Sequence, residues 1–153
     1  MSKNKKKTVV VKQRIYNPTF TEQGNADVVL WDIFPLGQSK MVEVTFESTS
    51  SAMKQGLRLS TDEGIKIDGE IFPGVKLWYH NSPSTVVCEC MSSDGLLSVY
   101  NVWEDELGRC FSQSWSSGML VEDLPRGRRY SCNDFGLDTS FDKLVFRIET
   151  LDG

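Results

Sequence analysis

The sequence contains little of the chemistry that marks an enzyme. It has a single histidine, His80, and the signatures GxSxG, HExxH, GxxxxGK[ST] and GxGxxG are all absent. It has no run of eighteen apolar residues, no repeat at a solenoid period and no long segment with helical hydrophobic spacing. These absences argue against the enzyme classes that carry those signatures, a transmembrane segment and a mainly helical fold.

Basic charge is also scarce outside the first fourteen residues. Six of the seventeen lysines and arginines lie there, so the remaining 139 residues hold eleven basic and twenty-one acidic groups, a net charge of −10. Because the phosphate backbone of a nucleic acid repels a domain with this negative charge, we predict no nucleic-acid binding. We expect residues 1–7 to form a disordered basic tail and residues 8–153 to form one domain.

The apolar stretch that follows the first lysines is too short for a signal peptide. It comprises only TVVV, and no Ala-x-Ala-like cleavage site comes after it. We therefore expect a cytoplasmic protein whose four cysteines stay reduced.

The sequence does contain short apolar and aromatic runs, which are separated by turn-forming residues. Some show strict alternation: Val42, Val44 and Phe46 share one face, as do Leu144, Phe146 and Ile148. This pattern predicts an all-β domain, specifically an antiparallel two-sheet β-sandwich or its jelly-roll variant, with little or no helix. The predicted strands are 8–15, 27–34, 40–48, 56–60, 64–68, 75–80, 85–91, 96–104, 109–115, 119–123, 128–133 and 143–150.

Four segments predict particular connections. TDEG predicts a tight hairpin between 56–60 and 64–68, and SSDG predicts another between 85–91 and 96–104. LPRG marks the tip of a hairpin over 121–131. Serines before Gly56 suggest a helical turn over 48–56.

Cys88 and Cys90 lie one residue apart on a predicted strand. Their side chains share a core face, and the spacing of i and i+2, roughly 7 Å, is too long for a relaxed disulfide between them. Packing as small apolar residues is the favoured interpretation. A metal site with Cys110, Cys132 or His80, a cross-strand disulfide and a redox role remain alternatives, and we predict no cofactor.

The segment RCFSQSWSSG, residues 109–118, is the best sequence candidate for a ligand surface. If it is extended, Phe111, Gln113 and Trp115 share one side, with Trp78 and Trp103 able to widen it. An indole beside an amide suits a sugar or another small polar ring ligand. The alternative is that these aromatic residues are core.

Arg126, Arg128 and Arg129 form the only basic cluster of the acidic body. Their guanidinium groups could bind a carboxylate or phosphate of a partner protein. Neutralisation by Glu122 and Asp123 across the hairpin is the alternative.

The residues together favour a non-catalytic binding module for a carbohydrate or other small polar ligand. A protein-interaction or inhibitor role is the second hypothesis, and a hydrolase using Glu104 or Asp134 with His80 is the third. Calcium held between loops by acids such as Asp134, Asp138 and Asp142 is a further option. The sequence selects no oligomeric state.

Overall fold

The computed structural model describes residues 11–136 and 138–151. Within them the chain forms eleven strands and one helix of five residues. The elements are β1 (Ile15–Tyr16), α1 (Pro18–Glu22), β2 (Val29–Pro35), β3 (Met41–Thr49), β4 (Lys54–Ile67), β5 (Glu70–Trp78), β6 (Thr85–Cys90), β7 (Leu96–Glu104), β8 (Cys110–Ser112), β9 (Gly118–Leu124), β10 (Gly127–Asn133) and β11 (Leu144–Thr150). The all-β prediction is confirmed.

The strands close on themselves, so the predicted two-sheet sandwich and its jelly-roll variant are wrong. Hydrogen-bonded neighbours run β2, β9, β10, β11, β3, β6, β4 and β7, and β7 pairs again with β2, where Val99 lies opposite Asp32. All these pairings are antiparallel. The result is an eight-stranded barrel, to which β1, β5 and β8 add at β2, β4 and β7.

Strand β4 is long enough to pair with both β6 and β7, and it thereby connects these two strands within the barrel. Its residues 54–60 pair with β7, and Ile65 and Lys66 pair with β6. Between them the register shifts at TDEG, so this segment is an irregularity inside one strand and not the predicted hairpin turn. Gly64 has φ +112°, which a residue with a side chain rarely adopts.

Other predicted connections also differ from the structure. SSDG does not join a hairpin, since β6 and β7 each pair with β4 and not with each other. The predicted helical turn at 48–56 is the end of β3 and the start of β4, and the helix lies at Pro18–Glu22 after its cap Asn17. The 121–131 hairpin is confirmed, with Leu124 opposite Gly127.

The strand predicted at 8–15 lies partly outside the described residues. Its described part is a strand only from Ile15. The predicted strand 109–115 is only Cys110–Ser112, because Gln113 turns the chain with φ +55°. The predicted tail, residues 1–7, lies outside the described residues.

Alternating side chains fill the barrel. The expected core residues of β3 and β11 are all buried, and Tyr130 stacks on Phe146 with ring centroids 4.9 Å apart. Cys88 and Cys90 are core residues as predicted, and no cysteine of the chain is in a disulfide. Burial raises the pKa of the Cys88 thiol to about 11 and that of Cys90 to about 12, so both thiols stay protonated at neutral pH.

Within residues 11–136 and 138–151 there is no helix with the length and apolar character needed to cross a membrane. The same residues contain no group of three or more histidine, cysteine, aspartate or glutamate side chains that could hold a metal ion.

Candidate functional site

A groove of about 680 Å³ lies on the outer face of the barrel, where β2, β4 and β7 run side by side. We call it the Trp31 groove. Its floor is formed by four side chains that alternate with core residues: Trp31, Arg58, Ser60 and Ser98. The volume lies within the range of roughly 300–1,000 Å³ that is usual for ligand sites.

The strand register brings these residues together. Arg58 of β4 lies opposite Tyr100 of β7, and Ser60 lies opposite Ser98. Trp31 of β2 contacts Tyr100 from the other side, with ring centroids 4.8 Å apart and planes tilted by 43°. Because β2 and β7 are neighbours only through barrel closure, the fold assembles this floor from three strands distant in sequence.

Arg58 is held in place by packing and not by an ion pair. Its guanidinium carbon lies 6.0 Å from the centroid of the Tyr100 ring. On its other side it lies against Gly74 of β5, where a Cβ would come within 2.6 Å of an Nη atom. Among the described residues, no carboxylate forms a salt bridge with Arg58. Its donors are therefore available to a ligand.

The serine hydroxyl groups of the floor are also available to a ligand. Among the described residues, neither Ser60 nor Ser98 has a side-chain hydrogen-bond partner. Trp31 Nε1 is buried and also lacks a partner. The serine hydroxyls can each donate to and accept from a ligand, whereas Arg58 can only donate.

Acidic residues line the other end of the groove. Asp62 and Glu63 come from the irregular part of β4, and Asp94 comes from the turn before β7. Asp62 accepts hydrogen bonds from the amide and hydroxyl of Ser93, and these hold its pKa below the usual range. Asp94 accepts from the Leu96 amide at 3.0 Å. The Asp62 carboxylate is therefore held by Ser93 and is ionised near neutral pH.

The polar residues of the groove follow an order along its length, beside apolar residues such as Leu96 and Ile71. Ser60 separates Arg58 from Asp62 along β4, and Ser98 separates Tyr100 from the Asp94 turn along β7. A cation thus lies at one end, hydroxyl groups in the middle and carboxylates at the other end. Arg58 and Asp62 are four residues apart, at most about 13 Å of extended chain.

The residues predicted to bind a ligand do not form one surface. Trp115 is 54% exposed and lines a smaller pocket of about 160 Å³ with residues of α1, among them Thr19 and Phe20. Neither Gln113 nor Phe111 lines that pocket.

Trp103 and Trp78 are placed elsewhere. Trp103 is buried, opposite Phe111 in the β7–β8 pairing, and Arg109 lies over the exposed Phe111 ring. Trp78 packs over Gly56 beside His80.

The three predicted partner-binding arginines differ in their surroundings. Arg128 donates to the buried carboxylate of Asp32 at 2.9 Å and also pairs with Asp123. Arg129 pairs with Glu47 and Glu122. Arg126 is exposed at the hairpin tip and, among the described residues, its side chain has no ion pair.

The acidic residues named in the hydrolase and calcium hypotheses bond to residues other than His80 or a shared metal site. Glu104 pairs with Lys54, and buried Asp134 accepts from Ser51 and Gln55. In the described part of the chain, no hydrogen bond or ion pair connects His80 to either acid.

The remaining calcium candidates do not converge with Asp134. Asp138 and Asp142 both pair with Lys143, whereas Asp134 bonds to Ser51 and Gln55. Within residues 11–136 and 138–151, the geometry thus provides neither a catalytic pair of His80 with Glu104 or Asp134 nor a ring of carboxylates for calcium.

No protein-family model and no curated protein matches the chain. Among solved structures it is similar to the Chromobacterium violaceum lectin CV2L, which was solved in complex with alpha-methyl-fucoside. The identity is 17%, the likeness covers 79% of this chain and 96% of the lectin chain, and the TM-score is 0.45. A likeness this distant transfers no ligand to this chain.

Sequence reasoning missed the Trp31 groove. The alternation of DVVLWDIF and LLSVYNVWE does contain a signal, since Trp31 and Tyr100 alternate with the buried residues Asp32 and Val99. Outward aromatic residues on two strands would mark a binding surface only if those strands were neighbours. The predicted sandwich did not provide that adjacency.

Proposed function

We propose that the protein is a non-catalytic binding module whose ligand, a carbohydrate, lies in the Trp31 groove. The observation that carries the proposal is the grouping of one indole with unpaired hydroxyl and guanidinium donors on a single floor. Sugars present apolar C–H faces and a ring of hydroxyl groups. An aromatic side chain packs on such a face, while Ser60, Ser98 and the carboxylates can bond the hydroxyl groups.

The smaller pocket beside Trp115 is a second candidate for the same function. Its favourable feature is an indole with more than half of its surface exposed, next to Thr19 and Thr139. Its volume of about 160 Å³ is less than a single drug-sized ligand usually occupies. We therefore place the ligand in the Trp31 groove. Partner binding through Arg126, Arg128 and Arg129 stays a prediction, and of these three Arg126 is the one without an ion pair to any described residue.

The four tryptophans allow the two sites to be told apart in one experiment. Protein labelled with ¹⁵N at the tryptophan indoles gives one N–H signal for each, and each signal can be assigned by single substitution. Titration with a panel of methyl glycosides is expected to shift the Trp31 signal and leave that of Trp115 unchanged. A shift of Trp115 alone would move the site to the smaller pocket, and no shift with any glycoside would contradict the proposal.

Substitution provides the energetic test. We expect Trp31→Ala to weaken binding of the responding glycoside about tenfold, because the aromatic contact is lost, and Trp115→Ala to leave the affinity unchanged. Since Trp31 also packs on Tyr100, the double variant Ser60→Ala/Ser98→Ala removes floor hydroxyl groups without an aromatic loss. Full affinity in both floor variants, measured by calorimetry, would exclude the groove.

A further inference from the structure

We infer that the ligand of the Trp31 groove carries an anionic group, a carboxylate or sulfate, that binds Arg58. This inference rests on the proposed function and specifies its substrate class as an acidic sugar. It starts from a contrast among the arginines of the chain. Arg14, Arg109, Arg128, Arg129 and Arg147 each form a salt bridge with a carboxylate, whereas in the described residues Arg58 and Arg126 do not. Of these two, Arg58 lines the groove and Arg126 is exposed at a hairpin tip.

Among the described residues Arg58 has no ion pair, although carboxylates line the other end of its groove. Asp62 lies four residues away on the same strand, and it bonds to Ser93 instead. The Tyr100 ring and the bare backbone of Gly74 hold the guanidinium at its own end of the groove. An arginine confined in this way loses less side-chain freedom on binding, which favours tight capture of an anion.

The shape of the guanidinium defines the group that fits. Its planar donors match the two oxygens of a carboxylate, or two oxygens of a sulfate, through parallel hydrogen bonds. A single sugar ring bound this way would place its hydroxyl groups over Ser60 and Ser98. The hydroxyl groups on the far side of the sugar would then donate to the carboxylates of Asp62 and Asp94. The negative charge of the ligand and those of the protein would thus lie at opposite ends of the groove.

The acidic end of the groove also limits the ligand to one anionic group. A second negative charge at the far side of the ligand would face Asp62, Glu63 and Asp94, and like charges repel. We therefore expect a singly charged glycoside to bind better than both its neutral counterpart and a doubly charged one.

The test uses matched pairs that differ only at the charged group. The probes are methyl glucuronide against methyl glucoside, methyl galacturonide against methyl galactoside, and the 6-sulfate of each neutral glycoside. For at least one pair we expect the acidic member to bind about tenfold more tightly, as a charge-assisted bidentate contact allows. Comparing the carboxylated with the sulfated members shows which of the two anionic groups, carboxylate or sulfate, the groove binds. The preference should also decrease as sodium chloride is added.

Variants assign the preference to Arg58. We expect Arg58→Gln to reduce affinity for the acidic member about tenfold more than it reduces affinity for the neutral member. Arg58→Lys should recover only part of the preference, because the fork of donors is lost. Arg126→Gln is the matched control, since Arg126 is also unpaired but lies at the β9–β10 turn, and it should change nothing.

Two failures are distinguishable. Equal affinity for acidic and neutral members, or a preference that survives Arg58→Gln, would overturn this inference while leaving carbohydrate binding in place. If no member of any pair shifts the Trp31 indole signal, the proposed function itself fails and the inference fails with it.

Discussion

At the scale of single residues, Asp32 is a buried carboxylate that pairs with two arginines. Its carboxylate is fully buried and accepts from Arg14 at 2.6 Å, Arg128 at 2.9 Å and the Tyr130 hydroxyl at 2.6 Å. Removing one partner of a buried ionic group leaves the others unpaired, which typically costs about 3–5 kcal/mol. We expect Asp32→Asn to lower the free energy of unfolding by about 3 kcal/mol, since both arginines keep some solvent contact.

Asp123 provides the matched control for Asp32. It pairs with the same Arg128, but its side chain is 87% exposed. Asp123→Asn should therefore change the free energy of unfolding by less than about 0.5 kcal/mol. Urea unfolding followed by tryptophan fluorescence measures both variants. Equal effects would show that Asp32 does not anchor the arginines that the structure places on it.

At the scale of elements, the irregular part of β4 decides how the barrel closes. Gly64 has φ +112°, and a Cβ there would lie 3.0 Å from the Phe72 carbonyl oxygen. Its own carbonyl accepts from the Met91 amide at 2.9 Å, which links β4 to the chain after β6. We expect Gly64→Ala to destabilise the protein by about 2 kcal/mol, since backbone strain and a tight contact with Ile71 and the Phe72 backbone act together.

Gly69→Ala separates the two causes. Gly69 has φ +83°, but a Cβ there would have no atom within 4 Å. This variant should cost about 1 kcal/mol, the strain alone. Chemical denaturation measures both values. If the two variants cost the same, close packing at Gly64 does not contribute to the closure.

At the scale of the whole molecule, the β2–β7 pairing distinguishes a closed barrel from two separate sheets. We expect nuclear Overhauser contacts between Asp32 and Val99 and between Phe34 and Leu97. Amide protons of β2 and β7 that bond across this pair should exchange as slowly as those between β10 and β11, because neither pair is an open edge. Fast exchange along β2 without these contacts would contradict the closure.

How far the sequence predicts the site depends on which signals are local. The outward position of Trp31, Arg58 and Tyr100 can be read from alternation with buried neighbours. Their proximity cannot, because it depends on β2 meeting β7 across more than sixty residues of chain. The same limit applies to Trp115, whose exposure follows from the turn at Gln113 with φ +55°. Strict alternation had suggested a straight strand there.

The sequence by itself determined the all-β class, the core faces of β3 and β11, the buried positions of Cys88 and Cys90 and the β9–β10 hairpin. Each follows from alternation or from turn residues within a few positions of one another. Only the tertiary structure decided that TDEG lies inside one strand, that the barrel closes, and that Trp31, Arg58, Ser60 and Ser98 share a groove. These features depend on which strands pair, and pairing between distant segments is selected by packing of the whole core and not by any local pattern.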